Sequence, residues 1–464
     1  MDNNKSLFLK HGTSLRFPLM AAKNTLTEYE SRRLENIRRN EEIVAALMLR
    51  SKASELSASL KRSISKKFKY SKPPSPVVIR RSLRTRGLPP SHSDSTVNVG
   101  ETFIGESSTS SGRPLFDVIM SASALRGVDG NESDSNLTGT HKFDPMSSMT
   151  LKPENVARVL PNRIFSVQFL PSAYRTVVTV GDKSGKIGFW DLDFVDGDGE
   201  REGNGIYVFA PHSAPVSGIS VHPSSMTKIF TCSYDGLLQK LDVDKETFSV
   251  IYSSEDPIFS ICQRSCDNSL YIGELGVLKI WDERAGKASN EWSLHGYRIN
   301  TIDFNPENLN IMATSSRDGT ACIWDLRSMN KVQPKVLGVV NHKRAVNSAY
   351  FSPNGSYLAT TSFDDRIGIL NLSDLTDISI INHNNQTGRW LSSFRAIWGW
   401  DDSFLFLGNM GKSVDIISTK DKTIMPLESP EMTSIPCRFA AHRHRTGTLA
   451  AATAGGKVFL FTNC

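Results

Sequence analysis

From residue 166 to the end of the chain, apolar and polar positions recur in one unit. A short alternating strand is followed by a turn, a second apolar strand, a tight acidic turn and an aromatic-Asp ending. "SVQFLPSAYRTVVTVGDKSGKIGFWDL" (166–192) is succeeded by "GISVHPSSMTKIFTCSYDGLLQKLDV" (218–243) and "SICQRSCDNSLYIGELGVLKIWDE" (260–283). Then come "TIDFNPENLNIMATSSRDGTACIWDL" (301–326) and "SAYFSPNGSYLATTSFDDRIGILNL" (348–372), with two looser copies at 393–417 and 437–461. Period-two alternation argues for half-buried strands, and Asp-Gly between strands for hairpins. The aromatic-Asp position falls at 191, 242, 282, 325, 371, 417 and 462, at intervals of 51, 40, 43, 46, 46 and 45. That period predicts an all-β fold, a seven-bladed β-propeller over 151–464. The long first interval holds the insertion "DGDGEREGN" (196–204). The last copy leaves no room for an outermost strand, so "ENVARVLP" (154–161) is expected to supply it and close the ring.

The period is that of WD40 repeats, and so is the turn chemistry. Asp182, Asp235, Asp318 and Asp364 occupy the tight turns, and His212, His295 and His342 precede their blades. In WD40 repeats the aspartate bonds that histidine and a Ser/Thr, so these residues are expected to be structural rather than catalytic.

Upstream the pattern changes. Tyr29, Leu34, Ile37, Ile43, Val44, Leu47, Leu56 and Leu60 recur near helical spacing behind Thr27, a plausible N-cap with Glu28 and Glu30 after it. This predicts a helical segment over 26–62 whose apolar stripe suits a partner, after a disordered 1–25. Residues 63–150 are Ser/Pro/Gly-rich and are expected to form a disordered linker, basic at first and then Ser/Gly-rich. Met20 is a candidate true start, since the first element begins after it.

Charge sharpens this division. The chain carries a net +6, yet residues 1–100 hold 20 Lys+Arg against 8 Asp+Glu, leaving 34 against 40 for the rest. From Lys61 to Arg86 there are ten basic residues and no acid. "KRSISKKFK" (61–69), with Lys61, Arg62, Lys66, Lys67 and Lys69, reads as a nuclear localisation signal, alone or joined to polyanion binding. No stretch approaches the roughly 20 apolar residues that span a bilayer. The six cysteines form no CxxC pair, which suits a reduced intracellular protein.

No catalytic constellation is present: no G-x-S-x-G, P-loop or HExxH, and no calcium loop in "GVDGN" or "DGDGE". The chain is expected not to be an enzyme and to hold no cofactor or metal. Two binding surfaces stand out. One carries the Trp-Asp-x-Arg endings, Trp324, Asp325 and Arg327 with the turn Asp318, and Trp281, Asp282 and Arg284. An arginine just past Trp-Asp emerges on the ring's narrow-side rim, where it can pair with a partner's carboxylate. The other is the opposite mouth of the channel, where Lys183, Arg298, Arg317, Lys343 and Arg344 make a candidate phosphate site.

The stretches "LTEYESRRLENIRRNEEIVAAL" (26–47), "RIFSVQFLPSAYRTVVTVGDKSGKIGFWDL" (163–192) and "HNNQTGRWLSSFRAIW" (383–398) resemble the WD repeat-containing protein 76 family. More distantly, the chain resembles damage-specific DNA-binding protein 2. The resemblance spans the helical segment and the whole propeller. It implies a nuclear protein, expected to be a monomer, that binds double-stranded DNA in the DNA-damage response and chromatin maintenance, with histones or other chromatin proteins as further partners and no membrane. The Trp-Asp-x-Arg endings match the box by which WD40 substrate receptors of cullin-4 ubiquitin ligases dock on the damage-specific DNA-binding protein 1 adaptor; the 280–284 copy matches in its ending alone. The distant relative inserts an inter-blade hairpin into the minor groove. Carried over, that hairpin is "HNNQTGRW", with Asn385, Arg389 and Trp390 as DNA-contacting residues. The competing reading is a WD40 scaffold for protein–protein interaction that binds no DNA, its basic tail serving import alone.

Overall fold

The computed structural model describes residues 35, 37–39, 42, 102–103, 115–124, 143–194, 205–222, 225–264, 266, 269–329 and 334–463. The chain divides into two units, Met1–Thr85 and Arg86–Cys464. In the first, the described residues are helical, and Arg38 Nε lies 3.7 Å from Glu42 Oε1, both side chains exposed. The remainder of the 26–62 segment, the 1–25 terminus and the Lys61–Lys69 run lie outside the described residues.

The second unit is a ring of seven antiparallel sheets. Blade 1 runs from Ile164 to Phe209, blade 2 from Val216 to Ser253, blade 3 from Ser260 to Ser293 and blade 4 from Ile299 to Asn341. Blade 5 spans Val346 to Asn382, blade 6 Ile397 to Leu427, and blade 7 Pro436 to Asn463. Each meanders outward, and the inner strand of each packs on the next, blade 7 returning to blade 1. Apolar side chains fill the wedges between blades. Val178, Val180 and Trp190 of blade 1, for example, meet Ala450, Ala452 and Leu460 of blade 7.

Blade 7 obtains its outermost strand from the other end of the unit. Met149–Arg158 pairs antiparallel with Lys457–Asn463, Met149 opposite Asn463 and Arg158 opposite Lys457. The amides of Val159 and Leu160 then donate to Gly456 O at 3.0 and 3.3 Å. Gly456 sits at φ +78°, where a Cβ would stand 1.7 Å from Leu160 O. The closing strand therefore begins five residues before the segment that the pattern suggested.

The expected disordered linker over 63–150 needs correction. Leu115–Ala124 is a helix whose Leu115, Val118 and Ile119 are fully buried in one cluster with Leu170, Phe189, Tyr207 and Phe248. Glu246 Oε1 accepts from Phe116 N at 2.7 Å, at the positively polarised first turn. Thr102–Phe103 adds a fifth strand to blade 2, and Pro145–Ser148 is a short helix leading into the closing strand. A single i, i+3, i+4 triplet in a Ser/Gly-rich stretch is too short to read as an element by periodicity alone; burying those side chains, at about 1.5–3 kcal/mol each, is what orders it.

Candidate functional site

Three of the four turn aspartates are held as WD40 chemistry requires, whereas Asp182 instead accepts from Ser184 and the Lys186 amide. His212 Nδ1 lies 3.1 Å from Asp235 Oδ2 and its Nε2 3.0 Å from Thr231 Oγ1. His295 bridges Asp318 (3.0 Å) and Thr314 (2.7 Å), and Trp324 Nε1 donates to the same Thr314 hydroxyl at 2.8 Å. His342 bridges Asp364 (3.3 Å) and Thr360 (2.9 Å). A fourth brace was not legible beforehand: in blade 6, which lacks an Asp-Gly turn, His383 Nε2 lies 3.0 Å from the buried Asp415. Burial pushes His295 and His342 below the usual imidazole range despite the carboxylate beside each. Burial works upward on Asp235, Asp318 and Asp364, but their hydrogen bonds outweigh it and hold them below the usual carboxylate range. These groups brace the blades.

The loops entering the blades and the mid-blade turns share one face, because each turn bonds to the loop entering its own blade. Lys183 N donates to Arg163 O at 2.9 Å and Arg317 N to Arg298 O at 3.2 Å. Lys183, Arg317, Lys343 and Arg344 stand exposed on this face. Half-buried Arg298 and exposed Arg389 line a cavity of about 300 Å3 at the channel mouth. Three arginines that sequence reasoning missed line it with them: Arg163, Arg395 and Arg438. Among all the lining residues there is no carboxylate.

The channel arginines bind backbone carbonyls instead of acids. Arg395 Nη2 donates to Asn300 O at 3.1 Å, linking blades 6 and 4. Arg438 Nε donates to Phe165 O at 2.8 Å and its Nη1 to Ser393 O, linking blades 1, 6 and 7. Arg163 lies 4.8 Å over the Phe165 ring and Arg298 5.3 Å over Phe259. Burial pushes the Arg298 and Arg438 guanidiniums down, and the charge of Arg395 adds to it in both.

Residues 383–393 are a loop rather than a hairpin. The inner strand of blade 6 is only Ile397–Trp398, although Phe394, Ala396 and Trp398 keep the expected alternating burial. The loop leaves its own sheet to cross the channel mouth to blade 1. Ser392 Oγ donates to Ile164 O at 2.7 Å, and Arg163 Nη1 to Arg389 O and Leu391 O at 2.8 and 3.2 Å. At its turn Gly388 takes φ +60°, Arg389 is exposed, and Trp390 is 88 % exposed. Asn385 does not join them. It is 0 % exposed, and its amide donates to Ser362 O (2.8 Å) and Arg366 O (3.3 Å), so it fastens the base of the loop.

On the other rim, the Trp-Asp-x-Arg endings divide in the same way. Trp324 and Trp281 are buried between blades; Asp318 belongs not to this rim but to the mid-blade turn beside Arg317 on the channel-mouth face, where it holds His295 and Thr320. Asp282 Oδ1 accepts from Arg284 N at 2.8 Å. Arg284 and Arg327 remain exposed. The Arg327 side chain is 65 % exposed but forks onto its own Asp325, Nε and Nη2 donating at 3.0 and 2.8 Å.

Comparison with known proteins agrees with this architecture. Residues 203–239, 286–325 and 334–369 match the WD domain, G-beta repeat family. WD repeat-containing protein 76 of Xenopus laevis is 31 % identical over 94 % of this chain and 80 % of its own length. The mouse protein of that name is 28 % identical over 94 % of this chain and 74 % of its own. DNA damage-binding protein cmr1 of Neurospora crassa is 31 % identical over 66 % of this chain and 66 % of its own. With seven closed blades, braced WD40 turns and this extent of identity, the chain belongs to the WD repeat-containing protein 76 / DNA damage-binding protein cmr1 family.

Proposed function

We propose that this protein is a nuclear, DNA-binding propeller of the DNA-damage response and chromatin maintenance, and that double-stranded DNA docks on the channel-mouth face. The observation that carries this reading is Trp390, 88 % exposed beside exposed Arg389 on a face that also presents Lys183, Arg317, Lys343 and Arg344. What makes this indole a candidate contact is its company: a bare π face among cations suits stacking on a base beside a phosphate. The lysines and arginines meet backbone phosphates, and Trp390 stacks on or wedges between bases. Relatives named DNA damage-binding protein support the same reading. The Lys61–Lys69 run is its import signal.

Arg389→Ala with Trp390→Ala is expected to weaken duplex binding roughly tenfold or more, since stacking alone contributes about 1–3 kcal/mol per base. Losing one phosphate contact also lowers the salt slope by about 1. Fluorescence anisotropy across a salt series reads both. Unchanged affinity and slope would favour the scaffold reading.

A second reading, docking on a cullin-4 ligase adaptor, rests on the exposed Arg327 at the opposite rim. Since that guanidinium is already paired with Asp325, an adaptor carboxylate has to exchange with it rather than meet a free charge. Arg327→Ala should reduce co-precipitation of the damage-specific DNA-binding protein 1 adaptor several-fold; equal recovery counts against docking there.

A further inference from the structure

The recessed arginines are not explained by duplex docking on the rim. Arg163, Arg298, Arg395 and Arg438 lie below the exposed cations, and the cavity they share with Arg389 contains no acid to offset them. The imbalance is visible atom by atom: Arg163 Nε, Arg298 Nε, Arg395 Nε and Asn347 Nδ2 are each buried without a hydrogen-bond partner. Buried charges and donors left uncompensated are costly, and each calls for water, an ion or a ligand to complete it. Two of the guanidiniums lie over aromatic faces, Arg163 on Phe165 and Arg298 on Phe259; Nη1 of Arg163 is taken by the carbonyls of Arg389 and Leu391, but the Nε–H of each remains for an oxyanion.

Size and charge narrow the ligand. A phosphodiester within a duplex is flanked by nucleotides on both sides and by the bulk of the helix, so it cannot descend past the rim. A phosphate at the end of a strand is tethered on one side only. As a monoester it carries about −1.5 to −2 charges at neutral pH, against one for a diester, and offers three acceptor oxygens. Trp390 stands next to Arg389 at the mouth, where the last base of an entering strand would stack.

We propose that the arginine-lined cavity at the channel mouth is a socket for the terminal phosphate monoester of a DNA strand. This deepens the DNA reading above and rests on it. The socket makes the protein sensitive to the chemical state of a strand end, in addition to the duplex held on the rim.

The test uses the full-length protein and one duplex carrying a short unpaired tail, its free end bearing a 5′-phosphate, a 3′-phosphate or hydroxyls only. A phosphorylated end of one polarity or the other is expected to bind at least tenfold more tightly than the hydroxyl end. Arg395→Gln should bring that ratio toward one, with Arg395→Lys intermediate, and thermal melting without DNA checks that the variants fold. The wild-type ratio needs no variant, so misfolding of Arg395→Gln cannot mask the answer. Equal binding of all ends overturns the socket while leaving rim docking in place. Failure of every DNA form to bind overturns both readings. A phosphoserine peptide that raises the melting temperature of a protein indifferent to DNA ends would assign the cavity to a protein ligand and overturn the proposal as well.

Discussion

A chain lacking Met149–Arg158 is expected to lose the propeller as a stable monomer. The deletion removes the outermost strand of blade 7 and leaves Lys457–Asn463 as an open edge holding Phe459 and Phe461, both buried in the intact ring. It also removes Met149 from the core and leaves the buried Val159 and Leu160 held by the Gly456 carbonyl alone, without the strand that leads into them. At about 1.5–3 kcal/mol for each such side chain, with the ladder bonds in addition, the loss approaches the whole 5–15 kcal/mol of a typical domain. An apolar, unpaired edge then recruits other strands. Size-exclusion chromatography should show aggregate in place of monomer, and thermal unfolding should lose its cooperative transition. Gly456→Ala is the graded version, because its Cβ collides with Leu160 O and its backbone needs φ +78°. It should lower the melting temperature without abolishing the fold. A truncated chain that stays monomeric and melts as before would show that seven blades hold together without the latch.

The second large effect is expected at the histidine braces. His212→Ala strips a buried Asp235 of its ring partner and leaves Thr231 without its bond. Asp235 keeps the Ser213 and Leu237 amides, so the loss is that of the ring's hydrogen bonds, about 1–3 kcal/mol. His295→Ala should cost less, since Asp318 is nearer the surface. Two of the braces, with two further histidines, set a pH dependence. His222, His295, His342 and His442 are all held below the ordinary imidazole range, burial being the first cause in each. Unfolded, they take up protons at about pH 6.5. Below that pH the unfolded chain binds more protons, so stability falls as pH falls. The depressed Asp235, Asp318 and Asp364 continue the loss below about pH 4. Asp303 works in the opposite sense. Burial pushes its carboxyl up to about 7, so between about pH 4 and 7 the folded form holds a proton the unfolded chain has lost. Asp303→Asn should therefore steepen the decline from pH 6.5 to 5, and His295→Ala should flatten it. Denaturant titrations at four or five pH values would read both slopes, and parallel slopes for all three proteins would refute the assignment.

The ring was legible because most blades repeat the same local chemistry of alternation, turn, Asp and aromatic-Asp, and the looser copies keep its spacing. Even the strand swap could be anticipated, since a last blade lacking its outer strand has to borrow one. What stayed hidden depends on separation along the chain. Arg163, Arg395 and Arg438 each look like one polar position in an ordinary strand region, and only closure of the ring brings them into one cavity. Asn385 illustrates the reverse error. In a run of small polar residues it reads as surface, yet its carboxamide satisfies two backbone carbonyls beneath the loop. The tryptophans of the Trp-Asp endings mislead in the same direction: their motif reads as part of a docking surface, but their indoles belong to the core and only the arginines after them face solvent.

The loop that crosses the channel mouth bears on how a ligand is received. Its bonds to blade 1, through Ser392 and Arg163, fix the backbone on both sides of Trp390 before anything binds. The entropy of ordering it is lost once, on folding, and is not charged against each encounter. A tryptophan presented on so firmly tied a support does not adapt its position to the partner. On the DNA reading, the deformation must then come from the nucleic acid, and the softest sites, where stacking is already weak, are the ones that conform at least cost.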